Sequence, residues 1–345
     1  MGMANTKTSA ATRKKPFRNS NQSPPARGAF QSWARAAGRK IMSWARAAGR
    51  KIMRHWQLYL IVAVPLAIIL IFSYGPMYGL QIAFQDFSPV KGYAGSPWVG
   101  LKHFKSFFSS YQFSRLLGNT LLISLYGLIA SFPIPIVLAI ALNECRARWY
   151  RKTVQMVTYA PYFISTVVMT GIVLMFLSPH AGLINNFIRL FGGDTIDFMG
   201  RPELFKSIYV WSGVWQGMGY SSVIYLSALS GVDPALHEAA IIDGASKIKR
   251  IWHVDLPCIL PTIIILLIMN TGSLMSVGYE KILLMQNSVN MSTSDVISTF
   301  VYRVGLKDAQ YSFSTAVGLF NSVINCIILL TVNQFAKRVG ETSLW

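Results

Sequence analysis

Charged and helix-capping residues are concentrated in one stretch of the chain, ALHEAAIIDGASKIKRIWHVDLP at 235–257. Its acids and bases, among them Glu238, Asp243 and Lys247, together with its Gly and Pro, are typical of a loop that folds. They do not suit catalysis, because the five histidines are scattered along the chain and no His, Asp and Glu groups converge. The segment GASKIKR has a single Gly before its Lys, so it cannot form a phosphate-binding loop.

The composition indicates a polytopic membrane protein. Of the 345 residues, 52% are hydrophobic and 13% are charged, and soluble domains carry about 25% charged residues. The net charge of +19 comes mainly from the first 54 residues, which contain no Asp or Glu. Such a basic tail suits binding to an anionic membrane surface. Because the rest of the chain is predicted to lie in the membrane, nucleic acid is not the expected partner.

The three cysteines give no sign of a disulfide framework or a metal site. Cys145, Cys258 and Cys326 lie far apart in sequence, and no His accompanies them at the spacing of metal ligands. We therefore expect neither a metal nor any other cofactor in this chain. The first apolar run also begins too late for a cleaved signal peptide.

Six apolar segments are long enough to cross a bilayer, which needs about 20 residues per helix. We predict an all-α polytopic membrane protein with a basic cytoplasmic tail at 1–56 and a membrane domain at 57–345. The density of Lys and Arg in the connectors, highest at 146–152, favours both termini in the cytoplasm. The predicted spans run approximately over 57–78, 119–142, 154–178, 207–230, 259–284 and 314–336.

The loop at 231–258 carries the signals of a short helix. Asp233 is a preferred N-cap, and Pro234 suits the first helical position. The helix is predicted to run to about Asp243, and Gly244 is placed to end it in a left-handed conformation.

A second helix is predicted in the same loop. Ser246 is placed to cap it, and Leu256-Pro257 is expected to end it and turn the chain into the fifth span. The helix, break and helix fit a rigid element presented to another protein. They fit equally well an amphipathic hairpin packed on its own bundle, and the residue pattern alone leaves both open.

Two further segments have alternative interpretations. SWARAAGRKIM at 32–42 repeats identically at 43–53. It fits a basic amphipathic surface helix, although a repeat without drift favours a recent duplication. In the first outer loop, SPWVGLKHFKSFF at 96–108 fits a helix lying along the membrane interface or an ordinary aromatic belt.

Polar and aromatic side chains recur inside the later predicted spans. Amides, hydroxyls and aromatic faces bind sugars. Amides and hydroxyls also form hydrogen bonds between membrane helices, each worth about 1 kcal/mol. For any single residue, helix packing is the simpler interpretation. The adjacent Glu280 and Lys281 fit either snorkelling or a place in the path. The candidate substrate-path residues are Trp211, Trp215, Gln216, Tyr220, Asn270, Ser273, Asn321 and Asn325.

The loop at 231–258 resembles the EAA loop of ABC importer permeases, whose pattern is Glu-Ala-Ala, three residues, Gly, many residues and Leu-Pro. In that family the loop is the coupling helix that docks into a cleft of the cytoplasmic ATPase. His237 departs from the pattern, because Tyr is expected before the Glu. The docking element that the resemblance implies comprises Glu238, Ala239, Ala240, Asp243 and Gly244.

The resemblance extends over most of residues 57–345. FPIPIVLAIALNE, VQMVTYAPYFIS, DVISTFVYRVGL and the ending SLW are similar to the LplB branch of carbohydrate permeases. It implies the type I ABC importer architecture, a second homologous permease, an ATPase dimer that binds ATP and Mg²⁺, and a soluble binding protein. The implied substrate is an oligosaccharide, and uronate chains such as alginate fragments are the narrower expectation.

Three other classes of protein remain as alternatives. An ion-coupled secondary sugar transporter usually needs carboxylates at the membrane midplane, and none lies well inside a predicted span. A membrane enzyme would need the convergent acid and base groups that the sequence lacks. An ABC permease for a non-sugar solute would share the EAA loop but not the LplB-like segments.

Overall fold

The computed structural model describes residues 54–339, and within that range loops connect helices and the β-structure is one isolated antiparallel bridge between Gln85 and Trp98. The described residues fall into two compact units, 54–77 and 78–339. Residues 54–77 carry helix α1, and all the packing below lies within 78–339. The repeated segment at 32–53 and the last six residues lie outside the described range.

Sixteen α-helices form between residues 54 and 339. They are α1 (Trp56–Ile69), α2 (Gly92–Gly95), α3 (Lys102–Phe108), α4 (Phe113–Ser131), α5 (Pro133–Asn143), α6 (Arg148–Tyr159), α7 (Thr166–Leu177), α8 (Leu183–Leu190), α9 (Pro202–Ser230), α10 (Pro234–Ile242), α11 (Lys247–Arg250), α12 (Leu256–Gly272), α13 (Tyr279–Met285), α14 (Met291–Ser294), α15 (Ile297–Tyr302) and α16 (Tyr311–Val339). Turns of π-helix occupy Leu70–Tyr74, Ile251–Asp255 and Arg303–Lys307, and 3-10 helix occupies Gly75–Phe84 and Ala160–Phe163.

Four helical stretches of the described chain are long and apolar enough to cross a membrane, and a fifth results if a bent pair is counted as one span. The predicted number of six spans therefore stays a prediction. Helix α9 has the length of a span at 29 residues, but its Ser, Gly, Gln and aromatic residues lower its hydropathy. The four stretches are Trp56–Phe84, Phe113–Asn143, Lys247–Gly272 and Tyr311–Arg338.

Two predicted spans are not continuous helices. The segment 154–178 bends by 105° between α6 and α7, where Ser165 leaves the helix and caps α7 by accepting a hydrogen bond from the Val168 N–H. The segment 259–284 is helical only to the end of α12, and residues 273–278 separate it from α13. Hydropathy averages over many residues, so it does not register a break of two to six residues in an apolar run.

The predicted helix end at Leu256-Pro257 is wrong, because α11, the π turn and α12 form one helical stretch. The Leu256 N–H bonds to the Ile251 carbonyl, five residues back. This shift of the hydrogen-bond ladder comes just before Pro257, which has no N–H to donate. The proline therefore lies in the first turn of α12 and does not break the helix.

The outer-loop segment 96–108 contributes to the core. Phe107 on α3 is 1% exposed and packs edge-to-face on Phe113 of α4, with the two ring centroids 5.1 Å apart. It also contacts Phe320 of α16 at 5.7 Å. Trp98, in contrast, is 65% exposed. Neither an interfacial helix nor an aromatic belt describes the whole segment, since its central aromatic side chain is buried.

Hydrogen bonds around the buried Asp295 join the junction of α14 and α15 to α4. Asp295 is fully buried, and its carboxylate accepts a hydrogen bond from Arg303 Nη2 at 2.7 Å. The Asn119 side chain donates to the Asp295 carbonyl at 3.1 Å, and Thr120 Oγ1 accepts from the Ile297 N–H at 3.0 Å. The break at 273–278 lies beside α4 and α9, because residues of all three line one cavity.

Candidate functional site

The helix predicted in the loop is present as α10, with the predicted cap at each end. Asp233 Oδ1 accepts a hydrogen bond from the Ala235 N–H at 2.9 Å. At the other end the Ala245 N–H bonds to the Ala240 carbonyl at 2.9 Å. Gly244 has φ +74°, the left-handed conformation that glycine adopts without steric cost. Local sequence signals therefore fix this helix at both ends.

The surface of α10 is open. None of its residues is buried, and Ile242 is 86% exposed, with Leu236 and Ile241 also exposed. Apolar side chains that stay exposed next to charged ones are typical of a protein contact surface. Of the five residues predicted for docking, Glu238, Ala239, Asp243 and Gly244 are exposed and Ala240 is partly buried.

Two electrostatic contacts join the loop to the ends of the longer helices. His237 Nε2 lies 3.2 Å from Asp255 Oδ1, and Lys247 Nζ lies 3.7 Å from Glu144 Oε2. The Asp255 carboxylate is 1% exposed, and neither of its oxygens has a hydrogen bond of good geometry within the described chain. When the His237 imidazole is protonated, its attraction offsets part of the cost of burying this carboxylate.

Two adjoining cavities of about 90 and 200 Å³ lie between α4, α5, α9 and α12. Asn270 and Ser131 line both, and Ser273 lines the second. Two of the predicted path residues therefore meet at one place. Sequence reasoning missed the small residues around them, because Gly and Ser also occur at ordinary helix contacts. These are Gly127, Gly213, Gly217, Ser221 and Ser276.

The predicted aromatic path residues lie on the exposed side of α9. Trp211 and Trp215 are 52% and 42% exposed, and Trp211 Nε1 donates to the Tyr126 hydroxyl at 2.8 Å. Tyr220 stacks on Tyr162, with ring centroids 3.9 Å apart and planes within 6°. Trp211, Trp215 and Tyr220 do not line either cavity. They form a separate aromatic surface that is exposed in the single chain.

The remaining predicted path residues support the helix breaks. Gln216 Nε2 donates to the Ile164 carbonyl at 3.0 Å. Asn325 accepts from the Met275 N–H at 2.8 Å and donates to Ser276 Oγ at 2.9 Å. Broken membrane helices need such partners, because lipid cannot satisfy the freed backbone groups.

Asn321, one turn before Asn325, donates to the Met275 carbonyl at 3.3 Å. Its contact, like those of Gln216 and Asn325, is with the backbone of a broken segment. These contacts match the packing interpretation of the three amides, and a role for them in the path stays a prediction.

The groups at the cavities suit reversible binding. They are amides, hydroxyls and small residues, which form hydrogen bonds without bond-breaking chemistry. Over residues 54–339, no three His, Cys, Asp or Glu side chains are grouped so that they could hold a metal ion. The three cysteines are free thiols.

Residues 131–341 match the family of binding-protein-dependent transport system inner membrane components. That match covers more than half of the chain. The chain belongs to this family. The matched region contains α5 to α16, and therefore α10 and the residues that line the smaller cavity.

Two curated relatives of this permease come from one bacterium, and one of them is named for polysaccharide transport. The chain is 41% identical over 288 residues to the polygalacturonan/rhamnogalacturonan transport system permease protein YteP of Bacillus subtilis (strain 168). The alignment covers 84% of this chain and 90% of that protein. The protein LplB of the same organism is also 41% identical over 288 residues, covering 84% and 91%. The resemblance to the LplB branch is thereby confirmed.

Solved structures show the same fold as this permease. A chain of a bacterial ABC transporter involved in the import of the acidic polysaccharide alginate matches with TM-score 0.78 and 41% identity, covering 84% of this chain and 98% of that one. A chain of the bacterial alginate ABC transporter in complex with alginate pentasaccharide-bound periplasmic protein matches with TM-score 0.79 and 40% identity, covering 86% and 99%. The all-α ABC importer permease fold is thus confirmed.

Proposed function

We propose that this permease is one of two homologous membrane subunits of an ATP-driven oligosaccharide importer. An ATPase dimer supplies the hydrolysis with ATP and Mg²⁺, and a soluble binding protein delivers the sugar. The sugar class rests on the relatives at 41% identity, which are named for saccharide transport. Sodium- or proton-coupled sugar transport, and ABC import of a non-sugar solute, are the alternatives that an uptake experiment separates.

The observation that carries the coupling role is the combination of exposure and rigidity in α10. Glu238, Asp243 and Gly244 are exposed to a partner, while Asp233 and Gly244 fix the ends of the helix. A movement imposed on a capped helix is transmitted as a rigid-body shift. In the proposed complex, α10 is the contact with the ATPase.

The contacts of the loop give a route from α10 to the cavities. His237 connects α10 to Asp255, directly before α12, and Lys247 connects α11 to Glu144, directly after α5. Helices α5 and α12 both line the cavities. In alternating access, closure of the ATPase dimer would therefore shift the walls of the sugar path through these two contacts.

The second permease completes the path. Ligand pockets for small molecules measure about 300–1,000 Å³, whereas the two cavities measure about 90 and 200 Å³. An oligosaccharide does not fit inside these two cavities alone. The exposed Trp211 and Trp215 offer aromatic faces that suit stacking on sugar rings, and the partner permease would form the opposite wall.

The proposed orientation places both termini on the ATPase side, in the cytoplasm of a bacterial cell. The basic segment at 146–152 and α10 then lie on the same side as the tail. The apolar side chains on the outer surface of the helices would face lipid, as those of Ile129 and Val137 do when they remain more than 60% exposed.

Uptake into proteoliposomes tests the proposal. The complete complex is reconstituted with its binding protein, and ATP is enclosed on the side of α10. Accumulation of labelled oligosaccharide that requires ATP and persists with ionophores supports the ABC importer. Accumulation without ATP that an ionophore abolishes would instead identify an ion-coupled transporter, and uptake of peptides but no sugar would identify a different solute.

A further inference from the structure

Lys281 is a lysine buried in the middle of the helical bundle. It lies on α13, directly after the break at 273–278, and it is 8% exposed. Its neighbour Glu280 is exposed, so the adjacent pair does not form an internal ion pair. The two residues therefore have different environments, and only the lysine faces the protein interior.

The buried ammonium group lacks an acidic partner. Its Nζ donates to the Tyr209 carbonyl at 3.0 Å and lies 4.9 Å from the centroid of the Tyr209 ring. Within residues 54–339, no carboxylate oxygen comes within 4.0 Å of it. A buried cation without a counter-ion is unfavourable, and such groups in membrane proteins commonly mark the path of an ion or a substrate.

The position of Nζ relates this charge to the two cavities. Tyr209 and Gly278 line the larger cavity, and Gly213 lines the smaller one. A Cβ atom added to Gly213 would lie 3.4 Å from Lys281 Nζ. Because Gly213 has no side chain, no bulky group screens the ammonium at this point of the wall.

We propose that Lys281 is a specificity-determining residue that favours a negatively charged sugar, carrying carboxylates of the uronate type, at the cavities bounded by Gly213 and Asn270. In this low-dielectric setting the charge attracts an anion over several ångströms. The hydroxyl groups around it bond equally well to charged and neutral sugars. Lys281 thus supplies the discrimination, and Asn270, Ser131 and Ser273 supply contacts common to both.

The inference rests on the proposed import of oligosaccharides. A matched pair of substrates distinguishes failure of the Lys281 assignment from failure of the proposed import. One substrate is an oligouronate, and the other is the same oligosaccharide with its carboxylates reduced to alcohols. ATP-dependent uptake of both is measured with the parent complex and with Lys281→Met, Lys281→Gln and Lys281→Arg. The control is Lys307→Met, because Lys307 also lies over a tyrosine ring, that of Tyr302 at 5.9 Å, but is exposed.

The parent should import the oligouronate in preference to its reduced form. Lys281→Met and Lys281→Gln should lower the ratio of charged to reduced uptake about tenfold, corresponding to about 1.4 kcal/mol. Lys281→Arg, which keeps the charge, and Lys307→Met should leave the ratio near the parental value. A structural role for Lys281 would lower uptake of both substrates equally, and that result would overturn the proposal.

The parent protein provides a second test that does not depend on whether the neutral variants assemble. An oligouronate activated with a carbodiimide reacts with a lysine amine to form an amide and release the urea. During turnover an adduct should form on Lys281, and excess unactivated oligouronate but not its reduced form should suppress it. Absence of that adduct, or equal suppression by both sugars, would contradict the assignment. If the parent imports neither sugar with ATP, the proposed function itself has failed.

Discussion

His237 Nε2 lies 3.2 Å from Asp255 Oδ1, and this contact joins the short exposed helix α10 to the start of α12. The histidine side chain is 24% exposed, whereas the aspartate is 1% exposed. The residue that departs from the EAA pattern is therefore the partner of a buried carboxylate. Its neighbour Glu238 is exposed, so in the proposed complex His237 anchors α10 and Glu238 is free to contact the ATPase.

Removal of His237 should destabilise the protein more than removal of both partners. His237→Leu leaves the buried Asp255 carboxylate without its contact to Nε2, which we expect to cost about 1–3 kcal/mol. The double variant with Asp255→Asn removes that charge and should recover most of the loss. Thermal unfolding in detergent measures both, and a double variant no more stable than His237→Leu would contradict the anchoring role.

The exposed ion pair between Lys102 and Asp86 should contribute little to stability. Lys102 Nζ lies 2.7 Å from Asp86 Oδ2, with side chains 58% and 38% exposed. Its hydrogen bond, assisted by the Lys102 and His103 charges, holds the pKa of the Asp86 carboxyl below its ordinary value. Because solvent screens this pair, Lys102→Ala should cost at most about 1 kcal/mol.

The small effect of Lys102→Ala should depend on pH with a definite sign. A depressed carboxyl pKa stabilises the protein above the unfolded-state pKa of about 3.9, and that stability is lost as pH falls through the folded-state value. Unfolding at pH 7 and at acid pH should therefore show the parent and the variant converging in acid. A difference that grows in acid would contradict this origin.

A matched pair of glycines on α9 tests its packing on α6. A Cβ at Gly219 would lie 2.1 Å from the Thr158 carbonyl oxygen, whereas nothing lies within 4 Å of a Cβ at Gly217. Gly219→Ala should therefore destabilise the protein by about 1–3 kcal/mol or more. Gly217→Ala should preserve or raise stability, because alanine favours the helix. Equal melting temperatures for the two variants would show that this close approach is wrong.

Two predicted path residues should respond in opposite ways. Asn325→Leu leaves the Met275 N–H without its partner, which should lower stability by about 1–3 kcal/mol. Trp215→Ala removes an aromatic face that is 42% exposed, so it should lower sugar uptake while sparing the melting temperature. Uptake and unfolding are measured on the same preparations. Unchanged uptake with Trp215→Ala would show that Trp215 has no role in the sugar path.

Local signals made α10 predictable, because Asp233 and Gly244 act on the backbone next to them. The breaks at 164–165 and 273–278 were not predictable in this way. They are stabilised by Gln216 and Asn325, which approach from helices distant in sequence. The same holds for Pro257, whose position inside a continuous helix depends on the π turn before it. Hydropathy located most of the apolar segments but not their interruptions.

The candidate site was predictable only in part. Asn270 and Ser273 meet at the cavities as polar residues that the sequence singled out. The glycines and serines around them gave no separate signal, and the burial of Asp255 depends on tertiary contacts. Lys281 was noticeable in the sequence as a charge near a membrane. Only the fold shows that it is buried beside Gly213 while Glu280 is exposed.

The coupling role of α10 is tested by substitutions at its exposed end. Gly244 has φ +74° with free space around it, so Gly244→Val strains the helix end, whereas Gly244→Asn tolerates the left-handed conformation. Glu238→Lys reverses the charge offered to the ATPase, and Glu238→Gln only removes it. Melting temperatures and co-purification of the subunits confirm that each variant assembles.

The decisive measurement is the number of sugar molecules imported per ATP hydrolysed by the reconstituted complex with its binding protein. Gly244→Val and Glu238→Lys should lower this ratio and weaken the stimulation of ATP hydrolysis by sugar, while Gly244→Asn should keep both near the parental values. If Gly244→Val and Glu238→Lys both retain the parental ratio and stimulation, α10 is not the element that couples ATP hydrolysis to transport.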